Sequence, residues 1–115
     1  MSRTPQSHLD AAAVNRPLRG RVAIAGAATY GCGEAPGMDD MTLLVRAAHA
    51  AVADAGLTMQ DIDGLATCSV NASMWTMPVI EHLGISPTYV DGTMIGGSSV
   101  IAHLLPAIRA LEAGQ

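Results

Sequence analysis

The apolar residues of this chain fall into two kinds of segment, short continuous runs and longer stretches with a helical period. The short runs are rich in β-branched residues and end near glycine or cysteine, which is typical of buried strands. We predict strands at residues 21–25 (RVAIA), 64–68 (GLATC) and 88–91 (TYVD). The longer stretches predict helices over residues 41–55, 71–83 and 98–113. Strands that alternate with helices indicate an α/β protein with a largely parallel sheet.

Capping residues support these boundaries. Asp39 and Asp40 precede the first helix, where a carboxylate accepts backbone hydrogen bonds and complements the helix dipole. Gly56 and Gly84 follow the first and second helices, at positions that favour a left-handed residue. Residues 58–61 (TMQD) have the spacing of a capping box with Asp in the place of Glu, so we expect a single helical turn there.

The last predicted helix is apolar almost all round. Between Asp91 and Arg109 the sequence has no Asp, Glu, Lys or Arg, and His103 is its one titratable residue. A helix of this kind is normally buried on several sides, and a small domain has little material to bury it. We therefore expect further protein around it, either the remainder of its own chain or a partner. Pro106 predicts a kink, because it removes the hydrogen bond to Ala102.

Composition narrows the class of protein. Half of the 115 residues are hydrophobic and 14% are charged, which predicts a folded chain. The polar residues 1–20 predict a mobile leader, and residues 21–115 a single partial domain. The net charge is −4 and all six basic residues are scattered arginines, which argues against nucleic-acid binding. Because no run is long enough for a membrane span and no export signal is visible, we expect a cytoplasmic protein.

Candidate chemistry is sparse. Cys32 and Cys68 are expected to remain thiols, and no spacing of His and Cys matches a zinc site, so no metal is expected. Residues 93–99 (TMIGGSS) form a glycine turn into the last helix, which either presents a nucleophile or is an ordinary turn that needs glycine for packing. His103 is likewise either a core residue or a catalytic one.

Four segments in their order and spacing give the chain a more specific resemblance. They are RVAIAGAATY, LLVRAAHAAVADAGLTMQDIDGLATC, YVDGTMIGGSSVIAH and AIRALEAG. Together they resemble the beginning of the thiolase superfamily, in its lipid-transfer branch related to sterol-carrier-protein thiolases. The resemblance implies the N-terminal part of a layered α-β-α-β-α fold, with a largely parallel sheet, a buried helix and usually a homodimer.

The resemblance also implies chemistry on acyl-coenzyme A thioesters. Family members cleave or form a carbon–carbon bond beside the thioester carbonyl, through a Cys in a motif like Cys-x-Ser-Gly. Met94 stands at that Cys position, and neither Cys32 nor Cys68 fits the motif. A thioether is not a thiolate nucleophile, so the departure favours relatives that lack the Cys and act as aldolases with a small partner protein.

The implied site is thus Met94 at the substituted nucleophile position. The substrate-loop residues are Gly96, Gly97, Ser98, Ser99 and His103. The family's histidine motifs have no counterpart here, so we expect the chain to represent about the first quarter to third of such a protein. Alone it would be inactive, with coenzyme A thioester as substrate and no bound cofactor. The alternative is a non-catalytic interaction subunit that docks on a full-length relative or on a small partner protein.

Overall fold

A computed structural model describes residues 17–115, and these residues form a small α/β unit. Its elements in chain order are helix α1 (Asp40–Asp54), a 3₁₀ turn (Met59–Asp61), strand β1 (Gly64–Thr67), helix α2 (Thr76–Leu83), strand β2 (Tyr89–Gly92), helix α3 (Ser99–Ala102) and helix α4 (Leu104–Glu112). The predicted α/β class is confirmed. Of the predicted leader, only residues 17–20 are described.

The first helix follows its predicted capping signals closely. The Asp39 carboxylate accepts a hydrogen bond of 2.7 Å from the backbone N–H of Thr42. Beyond the helix, Gly56 has a φ of 71°, in the left-handed region that glycine adopts without strain. In the 3₁₀ turn, the Asp61 carboxylate accepts hydrogen bonds from the backbone N–H and the hydroxyl of Thr58, at 2.8 and 3.0 Å.

The sheet of the described residues has two parallel strands joined through α2. β1 pairs with β2 from Gly64 opposite Tyr89 to Thr67 opposite Gly92. The second and third predicted strands and the parallel arrangement are therefore confirmed. Because the strands run in the same direction, both carboxyl ends lie at one edge, where the two following loops begin side by side.

The strand predicted at residues 21–25 is wrong. The segment forms no ladder, and Ile24 is 80% exposed. A β-branched run becomes a strand only where another strand offers backbone partners, and α1 borders this segment instead. A Cβ on Gly26 would fall on the carbonyl oxygen of Ala51, so the chain passes close to α1, and the Ala27 N–H donates to the Asp54 carboxylate at 3.0 Å.

Helix α2 begins later than the sequence predicts. Residues 71–75 form a turn, and the helix starts at Thr76 and not at Asn71. Met74 has a φ of 56°, which is incompatible with a right-handed helix and costly for a residue with a Cβ. Gly84 ends the helix with a φ of 67°, as its position predicts.

The predicted final helix is divided in two. α3 covers one turn, and α4 begins after His103. The break lies one turn before Pro106, whose ring has no N–H for Ala102 and crowds that carbonyl group. The predicted kink is therefore confirmed, and the prediction of one continuous helix is wrong.

The described core lies between α1, α2 and the sheet, and not around the last helix. Its buried apolar members are Met41, Val79, Leu83 and Ile85. In α3, α4 and the junction between them, the buried residues are Ser99, His103 and Ala110. Five large apolar side chains of the two helices stay between 44 and 69% exposed, namely Val100, Ile101, Leu104, Leu105 and Leu111. The prediction of a helix buried on several sides is thus wrong for the described residues, and the five-layer arrangement remains a prediction.

One ion pair connects the beginning of the described chain to its last helix. The Arg21 guanidinium lies 3.1 Å from the Glu112 carboxylate. Both side chains are partly exposed, so the pair contributes little to stability. Within residues 17–115, no helix combines the length and the apolar character that crossing a bilayer requires.

Candidate functional site

The candidate site is an open cleft at the carboxyl ends of the two strands. The last paired residues are Thr67 and Gly92, so Cys68 and Thr93 begin the neighbouring loops. This edge of a parallel sheet is where α/β proteins usually bind ligands. The cleft has a volume of about 210 Å³. Its lining residues are Thr67, Cys68, Ser69, Ala72, Ser73, Met74, Trp75, Thr76, Gly92, Thr93 and Met94.

The lining has an apolar part and a hydroxyl-rich part. Met74, Trp75 and Met94 supply long or wide apolar side chains, and Met74 and Met94 are 81 and 53% exposed. Five hydroxyl groups come from Thr67, Ser69, Ser73, Thr76 and Thr93. Such a surface can hold an apolar chain and can donate hydrogen bonds to a carbonyl oxygen at its end.

The chemical capacity of this lining is limited. Cys68 is the one lining residue with a titratable side chain, and the lining includes no His, Asp, Glu, Lys or Arg. General acid–base catalysis needs such a group within hydrogen-bond reach of the reacting atoms. The cleft is therefore equipped to bind and orient a ligand, and its own lining residues offer no base.

Met94 lies in this cleft, whereas the other predicted loop residues do not line it. Gly96 has a φ of 86° and makes the sharp turn, while Gly97 and Ser98 are exposed. Ser99 is fully buried, and its hydroxyl accepts from the Ile95 N–H at 2.9 Å and donates to the Gly96 carbonyl at 2.7 Å. These bonds fix the turn, so the Ser99 hydroxyl is committed to structure.

The structure places His103 at the junction between α3 and α4, away from the cleft lining. The residue is 5% exposed, and its Nε2 has no hydrogen-bond partner among the described residues. The sequence predicts a long helix after Met94, whose dipole would be strong at its N-terminus. Because α3 is only one turn long, its dipole is much smaller. The structure therefore brings Met94 together with none of the other predicted site residues.

Cys68 is the functional candidate that the sequence motifs missed. Its side chain is half-buried, and the thiol forms no disulfide. Cys68 and Met94 line the same cleft. They are distant in sequence, and the pairing of Thr67 with Gly92 brings their two loops together. The available signal was the parallel arrangement itself, because residues that follow two adjacent parallel strands meet at the same edge. Cys32 is also free but exposed, and it lies outside the cleft.

A second cleft of about 240 Å³ lies near the opposite, amino ends of the strands. It is lined by α4 and the sheet, with Leu65, Tyr89 and Leu111 among its apolar residues. Burial raises the pKa of Tyr89, and the nearby charge of Asp91 raises it further. The phenol is thus neutral at physiological pH, and none of the predicted site residues lines this cleft.

The described residues contain no group of three His, Cys, Asp or Glu side chains placed to hold a metal ion. No protein-family model matches the chain, and no curated protein is significantly similar to it. The relationship to thiolases therefore remains the resemblance carried by the four sequence segments.

Proposed function

We propose that this chain supplies the acyl-binding part of a thiolase-like protein of the lipid-transfer type, which acts on acyl-coenzyme A thioesters. In this proposal, the 115 residues bind the thioester but do not convert it. The observation that carries the proposal is the cleft at the carboxyl ends of β1 and β2, which Met94 lines. The resemblance aligns Met94 with the family's nucleophile.

The two parts of the lining suit the two parts of such a ligand. The acyl chain would lie against Met74, Trp75 and Met94, where each buried methylene group contributes about 0.8 kcal/mol. The thioester carbonyl and the amide groups of the pantetheine arm would accept or donate hydrogen bonds at the hydroxyl-rich wall. An apolar cleft with a few hydroxyl groups favours a neutral acyl group over a charged metabolite.

Carbon–carbon chemistry beside the thioester would need groups that this cleft lacks. A Met94 thioether cannot form the acyl-enzyme that a thiolate forms, so the proposal favours aldolase-type relatives over thiolytic ones. A base to remove or deliver a proton would have to come from residues outside the lining or from a partner protein. Binding without turnover is the expected behaviour of the chain alone.

Intrinsic fluorescence tests the binding directly, because Trp75 is the one tryptophan of the sequence and lies in the cleft. The full chain is titrated with dodecanoyl-coenzyme A, and free coenzyme A serves as the ligand control. We expect a saturable change with one equivalent of acyl thioester and a much weaker response to coenzyme A. Chromatography of the same samples should show no consumption of the thioester.

A pair of methionine variants locates the site. Met94 and Met77 are 53 and 56% exposed, but only Met94 lines the cleft. Met94→Asp should weaken binding by about tenfold or more, equivalent to at least ~1.4 kcal/mol, because it puts a charge on the apolar wall. Met77→Asp should leave the affinity unchanged. Equal effects of the two variants, or no saturable response in the unaltered chain, would contradict the proposal.

The interaction-subunit alternative rests on a different observation, the exposed apolar side chains of α3 and α4. Val100, Ile101, Leu104, Leu105 and Leu111 place an unusual amount of aliphatic surface on these two helices. Contiguous exposed apolar surface is characteristic of protein–protein contacts. A subunit that docks through these helices would cover them without using the cleft.

Light scattering distinguishes this alternative. A docking subunit should form a discrete oligomer above its 11.8 kDa monomer mass at micromolar concentration. Leu105→Gln should shift the oligomer towards monomer, whereas Leu57→Gln should not, although Leu57 is similarly exposed at 45% against 49% for Leu105. A monomer at all concentrations, or equal effects of both substitutions, would count against docking through α4.

A further inference from the structure

The connection between β1 and α2 is strained at one residue. Met74 has a φ of 56°, in the left-handed region, where a Cβ lies too close to the carbonyl oxygen that follows it. Within residues 17–115, it is the one residue other than glycine with a positive φ. Such residues persist where their surroundings hold them, and they are concentrated at ligand clamps and switch regions. Met74 also lines the cleft, so the strain lies at the candidate site itself.

The strain coincides with an incomplete start of α2. Trp75 occupies the N-cap position of this helix and makes no side-chain capping hydrogen bond. Four positions earlier stands Asn71, which belongs to the residue types that cap helices best, and Ala72 and Met74 between them are strong helix formers. The sequence therefore offers a second helix start at Asn71, and the left-handed conformation of Met74 separates it from α2.

Two hydrogen bonds hold the observed turn. The Ser69 hydroxyl accepts from the backbone N–H groups of Asn71 and Ala72, at 3.2 Å each. In a longer helix, the Asn71 side chain would instead accept from the backbone two or three residues further on, and its carbonyl group would accept from the N–H of Trp75. The backbone amides of this segment thus have acceptors in either arrangement, which is the condition for two states of comparable free energy.

We propose that residues 71–75 are a two-state segment that controls the shape of the cleft. In the state observed here they form the turn with a left-handed Met74. In the other state Met74 is right-handed, and α2 extends back to Asn71. A change of this backbone rebuilds the cleft, because more than half of the lining comes from residues 68–75, namely Cys68, Ser69, Ala72, Ser73, Met74 and Trp75.

The acyl ligand selects one of the two states, a step that rests on the proposed function. The acyl chain would contact Met74 and Trp75 where the turn presents them, so it binds the turn state and shifts the population towards it. The apparent affinity is proportional to the fraction of molecules in the competent state. A substitution that favours the longer helix should therefore weaken acyl binding, and one that favours the turn should strengthen it.

Two substitutions of Met74 in the full chain separate the backbone from the side chain. Met74→Gly and Met74→Ala both remove the thioether, but glycine adopts a positive φ without strain, whereas alanine is the best helix former. Backbone carbon-13 chemical shifts of residues 71–75, measured by NMR without ligand, should report the turn in the glycine variant and helix in the alanine variant. The ratio of helix to turn should differ between them by about tenfold or more. Unchanged shifts in α1 show that each variant is folded.

Fluorescence titration with dodecanoyl-coenzyme A then tests the control of the cleft. The glycine variant should bind about fivefold more tightly than the alanine variant, or better, although glycine offers less apolar surface. Ile24→Gly and Ile24→Ala are the matched control pair, because Ile24 is 80% exposed against 81% for Met74 and lies outside the cleft. This pair should differ neither in the chemical shifts of residues 71–75 nor in affinity.

The outcomes distinguish this proposal from the proposed function. Turn shifts in both Met74 variants would show a fixed, strained turn and would overturn the two-state segment. Equal affinities of two variants that do bind the thioester would overturn its control of the cleft. Helical shifts in the alanine variant, with no saturable binding by any form of the chain, would support the two-state segment and refute acyl binding.

Discussion

The two halves of the described chain use their apolar residues in opposite ways. From α1 to β2, several large aliphatic side chains form a buried core, with Val79 and Leu83 only 0 and 7% exposed, although Leu57, Val70 and Val90 remain 45 to 75% exposed. In α3 and α4 the pattern is reversed, because Ile101 and Leu105 are 69 and 49% exposed while the polar residue Ser99 is fully buried. Apolar composition therefore indicates that a helix buries its side chains against other protein, but it does not identify the packing partner.

The difference originates in what each helix contacts. α1 and α2 contact each other, and α2 also packs against both strands. In addition, a carboxylate caps α1, whereas neither α3 nor α4 has a side-chain cap. The first half thus has an apolar core and one capped helix, α1, although α2 also lacks a side-chain cap. The second half has neither a comparable core nor a side-chain cap.

The largest expected difference between the two halves comes from a pair of leucine substitutions, one in each half. Leu83→Ala should lower the free energy of unfolding by about 2–5 kcal/mol, since it opens a cavity beside Val79 and Met41. Leu105→Ala should change it by less than about 0.5 kcal/mol, because the Leu105 side chain is already half exposed. Urea unfolding followed by circular dichroism measures both values.

If Leu83→Ala does not fold, Leu83→Met provides a milder test with an expected cost below about 1.5 kcal/mol. Similar losses at positions 83 and 105 would mean that α4 contributes to the core as much as α2 does. That result would remove the distinction between the two halves.

Lowering the pH should destabilise the first half selectively, by a smaller amount. Hydrogen bonds from the side chain and the backbone of Thr42 hold the pKa of Asp39 below the ordinary value of 3.8, and bonds from the backbone and side chain of Thr58 do the same for the pKa of Asp61. A lowered pKa in the folded state means that the unfolded chain binds protons first as the pH falls. The stabilisation is therefore fully present at neutral pH, declines as the pH falls through 3.8, and is lost below the folded-state pKa values.

The measurement is the pH dependence of urea unfolding between about pH 6 and pH 3, where stability should decrease towards acid. Asp39→Asn is the matched variant, because asparagine caps a helix without titrating in this range, so its profile should be flatter. Hydrogen exchange should show the loss at the beginning of α1, where the capped N–H groups lie, and not in α4. An Asp39→Asn profile as steep as that of the unaltered chain would contradict this assignment.

Local signals in the sequence predict most of the first half. The Asp39 cap, the Thr58–Asp61 turn and the glycine after α2 depend on residues only a few positions apart, so their geometry follows from short-range chemistry. The strand predicted at residues 21–25 depends on a partner strand, which a local pattern cannot supply. The sequence places the start of α2 too early, because nothing in the residue type of Met74 indicates its left-handed conformation.

The site was only partly predictable for a related reason. The resemblance to the thiolase motif predicts a role for Met94, and this residue lines the cleft. Cys68 is distant from Met94 in sequence and fits no motif, so only the register of β1 with β2 brings the two together. The hydrogen bonds of Ser99 within its own turn likewise depend on how the glycine loop folds, and not on the motif that it resembles.

The most direct test of where the acyl thioester binds uses the methionine methyl groups as reporters. The chain has seven methionines, of which Met74 and Met94 line the cleft, while Met41 and Met59 belong to the core or pack against it and Met77 is exposed outside the cleft. With carbon-13 labelled methyl groups, saturating dodecanoyl-coenzyme A should shift the NMR signals of Met74 and Met94 and leave those of Met41, Met59 and Met77 in place. Shifts at Met77 or Met59 with Met74 and Met94 unmoved would contradict binding in the cleft between the strand ends.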